Sequence, residues 1–325
     1  MFTVIGESLV DLVRWEGATA PVAEHPGGSP ANVALGLARL EEPVTLVTRL
    51  GQDTKGAVVR SHLTDSGVQV RTVGSDAATG TATAVLDANG GARYEFDLGW
   101  DLPETLNLPR ETTCLHTGSL ATSLDPGATV VEALLERERR SGHRTISFDP
   151  NIRPALLPSR DEARARTERQ VVSADVVKVS DEDLRWLYPE TAPQRVAADW
   201  LGRGPAIVVV TLGGDGSLAL TGEGLVRRPA PTVDVADTVG AGDAFTAGML
   251  HQLGREGLLG GGNRDALHHI NPKQVIRVLD TAAAVAALTC ARHGAEPPNL
   301  HELATHLAGD RAAQSSIASV ALRSA

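Results

Sequence analysis

Residues 236–249 read ADTVGAGDAFTAGM, where glycines and two aspartates precede an apolar pattern. The apolar side chains recur at helical spacing, at Phe245, Met249, Leu250 and Leu253. This spacing predicts that a helix begins at the Gly-Ala-Gly-Asp segment of residues 240–243. The first turn of a helix carries unpaired N–H groups and a partial positive charge, and glycines let a phosphate approach that backbone. The stretch therefore predicts an anion hole at the start of a helix.

Asp243 has two interpretations. Aspartate is a good N-cap residue, and an isolated Gly-Ala-Gly-Asp favours that structural role. A carboxylate in this turn would repel a phosphate, so its presence is unexpected in a site that only binds one. A role as a general base, which takes a proton from a hydroxyl beside the phosphate, explains why it is there. The surrounding sequence has to decide between the cap and the base.

Short β-branched runs alternate with helical patterns along most of the chain. The runs lie at residues 2–7, 44–51, 113–119, 144–150, 176–180 and 206–213. This alternation predicts an α/β fold, doubly wound, with a mostly parallel sheet flanked by helices. Several runs end in small or polar residues, and open α/β sheets bind ligands at the carboxyl ends of their strands. We therefore expect the functional site along that edge.

Two segments, 8–17 and 81–98, look like strands without a following helix, and the second contains the hairpin signal Asn89-Gly90-Gly91. Strands that leave the main sheet in pairs, at about 9–25 and 79–100, would form a small lid that excludes water from a reaction. An ordinary edge extension of the main sheet fits the periodicity equally well. The expected organisation is one domain over 1–310 with this lid, and a poorly ordered tail at 311–325.

Composition excludes several classes of function. The formal net charge of −10 and the lack of a Lys/Arg-rich run argue against a nucleic-acid partner. The N-terminus lacks a signal-peptide pattern and no uncharged apolar run could cross a bilayer, so we expect a cytoplasmic protein with no membrane contact. No Gly-Lys-Ser/Thr sequence occurs, so a phosphoryl transfer would not use a P-loop. The first strand lacks the glycine-rich turn of a dinucleotide-binding fold, which argues against that fold. Ser119 lies in no nucleophile elbow, which argues against a hydrolase.

A glycine-rich turn lies in residues 208–220, VVVTLGGDGSLAL, between two predicted strands. It contains Thr211, Gly213 and Gly216. Such a turn can hold a polyphosphate against its backbone, although glycines at this kind of position are more often simple hairpin residues.

Residues 25–40, HPGGSPANVALGLARL, place a glycine pair before a predicted Ala-rich helix. Ser29 before Pro30 is a good N-cap with proline at the first helical position. Asn32 is then free to contact a ligand hydroxyl.

The stretch FDPNIRPAL at 148–156 directly follows a predicted strand. Arg153 supplies planar donors for a phosphate or a polar substrate, although a pair with Asp149 explains it equally well. Asp11 stands between apolar neighbours and is either solvated or faces two ligand hydroxyls on the inner side of the paired strands.

Together these stretches resemble the ribokinase-type (PfkB) carbohydrate kinase family, and within it the fructokinases. The resemblance extends from Gly6-Glu7 to residues 291–298. DTVGAGDAF at 237–245 is highly specific to that family. The stretches FDPNIRPAL, LHTGSL and VKVSDEDL resemble the fructokinase branch in particular.

This resemblance implies transfer of the γ-phosphoryl group of ATP to a primary hydroxyl of a sugar, most of all fructose. Asp243 would be the general base. The anion hole would be formed by the backbone amides of Gly240, Ala241, Gly242 and Asp243. Arg153 would lie near the transferring phosphate or the sugar.

The resemblance also assigns the ligand contacts. Sugar contacts would come from Asp11, Gly28, Asn32 and Asp237. Independently of the resemblance, the aromatic rings of Phe96 and Trp100 could stack on the ring of any of the candidate acceptors. Nucleotide phosphates would lie on Thr211, Gly213 and Gly216. The Ala-rich helix that contains Ala284 would flank the adenine, although such a helix is first of all a packed one.

Two metal ions are implied. Mg²⁺ would neutralise phosphate charge, and because Ser180 and Asp183 replace the Asn and Glu frequent in the family, Asp183 is the candidate for its second shell. K⁺ would be held by the Asp237 carboxylate and by the carbonyls of Val239, Arg292 and Gly294.

Other functions remain possible from the sequence. A kinase of the same fold could act on 2-keto-3-deoxygluconate, ribose or a nucleoside. A catalytically silent sugar sensor would have lost its base or its anion turn, and both are intact here. A homodimer through the lid would pair exposed strand edges.

Overall fold

The computed structural model describes residues 1–19, 21–75, 77–87 and 92–309. The strands found in these ranges are, in chain order, β1 (Phe2–Ile5), β2 (Leu9–Trp15), β3 (Ala23–Gly27), β4 (Val44–Thr48), β5 (Gln69–Thr72), β6 (Gly80–Leu86), β7 (Ala92–Asp97), β8 (Cys114–Gly118), β9 (Thr145–Asp149), β10 (Val176–Ser180), β11 (Ile207–Thr211), β12 (Ser217–Thr221) and β13 (Gly224–Arg228).

The α-helices of the same ranges lie between the strands and after them. They are α1 (Ser29–Arg39), α2 (Thr54–Asp65), α3 (Gly127–Ser141), α4 (Arg160–Ser173), α5 (Asp181–Leu187), α6 (Pro193–Leu201), α7 (Ala241–Arg255), α8 (Arg264–His268), α9 (Pro272–Cys290) and a helix over residues 300–309. Short 3₁₀ segments follow strands at Ser119–Thr122, Pro154–Leu156 and Gly213–Asp215.

The main sheet has nine strands in the order β13-β12-β11-β10-β9-β8-β1-β4-β5. The strands from β11 across to β5 pair in parallel, and β12 and β13 add to one edge in antiparallel pairs. Parallel neighbours require crossover connections, which the helices supply. The prediction of a doubly wound, mostly parallel α/β sheet is confirmed.

Both faces of this sheet are covered by helices, because its strands are apolar on both sides. Side chains alternate along a strand, so Val4 joins one core and Ile5 joins the other. Helices α1, α7 and α9 pack on the first face, for example through Leu35, Phe245 and Val278. Helices α3, α4 and α6 pack on the second face, for example through Leu134, Val171 and Trp200. Each such burial contributes ~1.5–3 kcal/mol before conformational entropy is subtracted.

A separate four-stranded sheet, here called the small sheet, has the order β3-β2-β6-β7. One of its faces packs on 3₁₀ segments at the carboxyl ends of β8 and β9, through the apolar residues Leu9, Ala82, Phe96, Leu98, Leu120 and Leu156. The small sheet therefore lies over the carboxyl edge of the main sheet, and the alternative of an ordinary edge extension is wrong. Its action as a lid remains a prediction.

Two parts of the predicted organisation fall outside the described residues. They are the hairpin turn at Asn89-Gly90-Gly91 and the tail at 311–325. Within the described ranges, no helix combines the length and the apolar character that a membrane crossing needs.

Candidate active site

Asp243 is the third residue of α7, which begins at Ala241. The N-cap position is Gly240, which has a φ of 73° and makes no side-chain cap hydrogen bond. A side chain at Gly240 would place its Cβ 2.6 Å from the Cβ of Ala295, so both conformation and space require glycine here. The predicted start of the helix is correct, and the interpretation of Asp243 as its cap is wrong.

The Asp243 carboxylate is buried, with 7% of the residue exposed, and it is held by helix α1. Ser29 donates its hydroxyl to Oδ1 at 2.6 Å, and Asn32 donates its amide to Oδ2 at 2.9 Å. Burial raises the pKa of Asp243, while these two hydrogen bonds and the nearby charge of Lys178 oppose that rise. The carboxylate is thus fixed in orientation and more basic than an ordinary aspartate, as a general base should be.

The start of α1 differs from the expected one. The N-cap is Gly28, with a φ of 107° and no side-chain cap, and Ser29 is already helical. The expectation that Ser29 caps the helix and leaves the Asn32 side chain free is therefore wrong, since both side chains bind Asp243. The Oδ1 atom of Asn32 accepts no hydrogen bond from the described residues and remains open to a ligand hydroxyl.

Asp11 lies on β2, on the face of the small sheet that packs over the carboxyl edge. Register places it opposite His25 on one side and Ala82 on the other. Burial raises the pKa of Asp11 to about 6, with the charges of His25 and Arg153 opposing the rise and that of Asp243 adding to it. A Cβ on Gly27 would lie 2.1 Å from Oδ2 of Asp11, so this glycine leaves room for the carboxylate.

Phe96 and Trp100 have different surroundings. Phe96 is opposite Ala82, so it projects from the same face of the small sheet as Asp11. Trp100 is buried in the core, where its indole N–H donates to the carbonyl of Ala121 at 3.0 Å. The structure therefore places Phe96 on the same face as Asp11, where its sugar contact stays a prediction, and contradicts the stacking role of Trp100.

Arg153 is exposed in the loop after β9. Its Nη1 donates to Oδ1 of Asn151 at 2.7 Å and to the carbonyl of Ile152 at 3.1 Å. The alternative pair with Asp149 is wrong, because Asp149 pairs with Lys178. The positive charge of Arg153 lowers the pKa of Asp11, so the guanidinium lies close to the expected sugar side.

The Lys178–Asp149 pair was missed by the sequence analysis. Nζ of Lys178 lies 2.8 Å from Oδ2 of Asp149, and both residues are buried. The available signal was a single lysine inside the apolar strand VVKVS, which a buried strand tolerates only when its charge is paired.

Glu7 is a second buried carboxyl group that the sequence analysis did not assign. Its Oε2 accepts the backbone N–H of Ala121 at 3.1 Å, and Ser119 also hydrogen-bonds to it. Burial raises the pKa of Glu7 to about 7, against the opposing effect of these hydrogen bonds and of the Arg153 charge. Glu7 thereby joins the end of β1 to the 3₁₀ segment that supports the small sheet.

The glycine-rich turn follows β11, whose last residue Thr211 is in register with Ser180 at the end of β10. Gly213 and Gly216 have φ values of 55° and 97°, which favour glycine. No described atom lies within 4 Å of a Cβ built on Gly213. Gly213 therefore presents open backbone at the carboxyl edge of the main sheet, whereas Gly216 packs against the backbone of Arg228.

Ala284 does not fit its expected role beside adenine. It is 1% exposed and lies in an apolar cluster of Leu40, Ala244, Val285 and Leu303. Because Ala284 fills the interior between helices, a bound base could not reach its methyl group, and the assignment of Ala284 as a nucleotide contact is wrong.

Asp237 ties two loops together. Its carboxylate accepts the backbone N–H of Val239 at 3.0 Å and that of Gly294 at 2.9 Å. These hydrogen bonds lower the pKa of Asp237, so the group stays charged. The loop before α7 and the loop after α9 therefore meet at a fixed negative charge, beside the backbone of the proposed anion hole.

Asp183 lies near the same edge, in the first turn of α5. Its Oδ1 accepts the backbone N–H of Ile152 at 3.1 Å. Burial raises the pKa of Asp183 to about 6, and the charge of Asp149 adds to that rise. A side-chain hydrogen bond with Ser180 and the charges of Lys178 and Arg153 oppose this rise.

Several groups thus converge on one place where the small sheet covers the main sheet. A buried carboxylate stands in the first turn of a helix, and an acidic group of the small sheet lies close enough to act on it through its charge. The glycine-rich turn follows β11 at the same edge of the main sheet. This arrangement can deprotonate a hydroxyl while backbone N–H groups stabilise an anion beside it.

Comparisons with known proteins agree with this chemistry. Residues 1–302 match the family described as pfkB family carbohydrate kinase. The chain is 35% identical over 270 residues to a fructokinase of Rhizobium leguminosarum bv. trifolii. This alignment covers 80% of this chain and 81% of the relative.

Solved structures give the same result. A fructokinase of Xylella fastidiosa with bound ATP has a TM-score of 0.83 and 27% identity, over 95% of this chain and 98% of that chain. A double mutant of a Vibrio cholerae fructokinase, in a form with bound fructose, ADP and potassium ion, has a TM-score of 0.74 and 28% identity, over 94% of this chain and 97% of that chain. Because residues 1–302 match this family, the chain belongs to the pfkB family of carbohydrate kinases.

Proposed function

We propose that this protein is an ATP-dependent fructokinase that phosphorylates a primary hydroxyl of the sugar. The observation that carries the proposal is the buried Asp243 carboxylate at the first turn of α7, held by Ser29 and Asn32. The relative from Rhizobium leguminosarum and the two solved structures named above are fructokinases, which supports fructose as the acceptor.

In this proposal Asp243 takes the proton of the sugar hydroxyl while that oxygen attacks the γ-phosphorus of ATP. The bond from the γ-phosphorus to the ADP oxygen breaks, and the proton later leaves Asp243 to solvent. The backbone N–H groups of residues 240–243 receive the negative charge on the transferring group. Loss of one such donor typically raises the barrier by ~3–4 kcal/mol.

The sugar would lie between α1 and the small sheet. Asp11 and the Oδ1 atom of Asn32 would accept hydrogen bonds from its hydroxyl groups, and the half-buried Gly28 would contact it through its backbone. Phe96 covers the sugar from the face that it shares with Asp11. Arg153 would contact the sugar or the phosphate from the loop after β9, because its charge already acts on Asp11.

The nucleotide phosphates would lie against the turn of Thr211, Gly213 and Gly216. The open backbone at Gly213 supports this placement. We propose no side chain of α9 as an adenine contact, since Ala284 is interior.

The donor sets present fit the two expected cations. Mg²⁺ retains waters and needs few carboxylates, so the single Asp183 carboxylate in the first turn of α5 suits a water-mediated contact. When bound, the ion would neutralise phosphate charge. K⁺ would be held where Asp237 joins the loops that carry the carbonyls of Val239, Arg292 and Gly294. The Vibrio cholerae structure with potassium ion supports this second site.

Two further features complete the proposal. We infer a homodimer through the small sheet, because its edge strands β3 and β7 pair with no other strand among the described residues. We also place the activity in the cytoplasm, where ATP is available as the donor.

An acceptor panel tests the function. Release of ADP is measured with fructose, 2-keto-3-deoxygluconate, ribose and a nucleoside, each with and without potassium. Fructose should give the highest kcat/KM, and potassium should increase it. A clear preference for another acceptor would reject fructose, and the absence of any sugar-dependent ADP release would reject the kinase.

A further inference from the structure

A buried lysine lies under the first turn of α7. Lys178 is 5% exposed and comes from the middle of β10. A Cβ built on Gly242 would be 3.1 Å from its Nζ, while Gly242 itself is exposed. The ammonium therefore lies just beneath the open backbone of the proposed anion hole.

The hydrogen bonds of this ammonium are incomplete. Of its three N–H donors, one is used by Asp149, at 2.8 Å, and the described residues supply no further acceptor. A buried ammonium with unused donors is unfavourable unless a ligand completes its contacts. Its other carboxylate neighbours, Asp183 and Asp243, act on it only through their charge.

Asp149 shows the same incompleteness. Its Oδ2 binds Lys178, but its Oδ1 is buried and has no hydrogen-bond partner in the part of the chain that the structure describes. If the pair served packing alone, both groups would be expected to have complete partners. Asp149 instead holds one side of the ammonium and leaves the side near Gly242 open.

The charge around the ammonium suits an incoming phosphoryl group. Burial alone would lower the pKa of Lys178, but the hydrogen bond and charge of Asp149 and the charges of Asp183 and Asp243 outweigh it and raise that pKa. Lys178 therefore stays protonated. An anion that approaches the turn would meet this ammonium beside Gly242.

We propose that Lys178 is a catalytic residue of the phosphoryl transfer, which donates hydrogen bonds to the transferring group beside the 240–243 turn. The inference rests on the proposed kinase function. As the sugar oxygen forms its bond to phosphorus and the bond to ADP breaks, Lys178 shares the developing negative charge with the backbone N–H groups. Its proton is not transferred, and the proton of the hydroxyl still passes to Asp243.

Lys178→Met tests this role, with Lys273→Met as the matched control at an exposed lysine. The kcat of Lys178→Met should fall about 10²–10³-fold, the range for loss of one such donor. Its affinity for ADP with aluminium fluoride, a mimic of the transition state, should weaken by a similar factor, while its affinity for ADP alone changes less than about threefold. Lys273→Met should match the unmodified protein.

A purely structural role would give another pattern. Lys178→Met would then leave kcat within about threefold of the unmodified protein, or would weaken ADP and the ADP–aluminium fluoride complex equally. Either result would overturn the proposal. If the unmodified protein releases no sugar-dependent ADP, the proposed function itself fails, which this comparison separates from a failure of Lys178.

A double-mutant cycle separates a catalytic role of Lys178 from its role as the ion-pair partner of Asp149. Lys178→Met alone leaves Asp149 as an unpaired buried charge and could unfold the protein, whereas Lys178→Met with Asp149→Asn leaves no such charge. Within the Asp149→Asn background, loss of the lysine should still reduce kcat at least about tenfold. If it causes no further loss there, Lys178 acts only as the partner of Asp149 and the proposal is wrong.

Discussion

Asp243 combines two properties that usually oppose each other. Burial makes its carboxylate more basic, while hydrogen bonds from Ser29 and Asn32 keep it oriented and ionised. Both donors come from α1, more than 200 residues away in the chain. The basicity of this residue is therefore set by the packing of α1 against α7 and not by its local sequence.

Asp243→Asn should abolish turnover while the sugar and nucleotide still bind. The amide has nearly the same shape but cannot accept the proton, so kcat should fall by at least about 10²–10⁴-fold, the usual contribution of a general base. Steady-state kinetics and calorimetric binding of both ligands measure this separation. Asp265→Asn, at an exposed aspartate of α8, is the control, and unchanged kcat in Asp243→Asn would show that another group is the base.

Asp11 predicts a pH dependence of sugar binding. Its pKa is raised to about 6, so the Asp11 carboxylate becomes protonated as the pH falls through that value. The protonated group is a poorer acceptor for the hydrogen bonds of the sugar hydroxyls. The Kd for fructose should therefore increase about tenfold for each unit below about pH 6. Calorimetry across that range measures this, since no turnover is needed.

Asp11→Asn should bind the sugar more weakly at neutral pH and lose this pH dependence. Were the variant to keep the same acid limb, a different group would have to control sugar binding. Asp243, whose pKa is also raised by burial, would then be the first to test.

At the level of elements, Glu7 links the end of β1 to the Ser119–Thr122 segment beneath the small sheet. Its pKa is raised from 4.5 to about 7, so the folded state keeps the Glu7 proton to a higher pH than the unfolded chain does. By linkage, its contribution to the free energy of unfolding falls as the pH rises through that window.

Glu7→Gln should remove this dependence. Between about pH 5 and about pH 8, the unmodified protein should lose about 2 kcal/mol of stability relative to the variant. Denaturant unfolding of both proteins at each pH measures the difference, and other titrating groups cancel in the comparison. A constant difference across the range would show that the folded protein does not hold the Glu7 proton.

The sequence predicted those elements whose signals are local. The start of α7 followed from Gly-Ala-Gly-Asp and the apolar spacing after it, and the two strand pairs of the small sheet followed from the missing helices. The partners of Asp243 could not be predicted, because Ser29 satisfied local N-cap statistics and its actual bond spans the chain. The assignment of Ala284 as a nucleotide contact was wrong for a related reason. The sequence of an Ala-rich helix gives its composition but not which of its faces is interior.

Over the whole molecule, the main sheet and the small sheet each contribute residues to the candidate site. Asp149 ends β9, Lys178 of β10 pairs with it, Asp183 follows β10 in the first turn of α5, and Asp11 lies on the small sheet that packs over this edge. Apolar contacts of Leu120 and Leu156, in the segments that follow β8 and β9, hold the small sheet over this edge. A movement of the small sheet would therefore change both the access of sugar and the exclusion of water.

The outer end of the small sheet predicts how two copies would associate. Trp15 is 49% exposed and Val22 is 61% exposed, although large apolar side chains favour burial. A homodimer that pairs two small sheets would cover them, so the unmodified protein should sediment as a dimer and Trp15→Glu should shift it toward monomer. Val172→Glu, at a comparably exposed valine of α4, should leave the dimer intact. Analytical ultracentrifugation over a concentration series distinguishes these states. A monomer for the unmodified protein, or dissociation by Val172→Glu but not by Trp15→Glu, would contradict association through the small sheet.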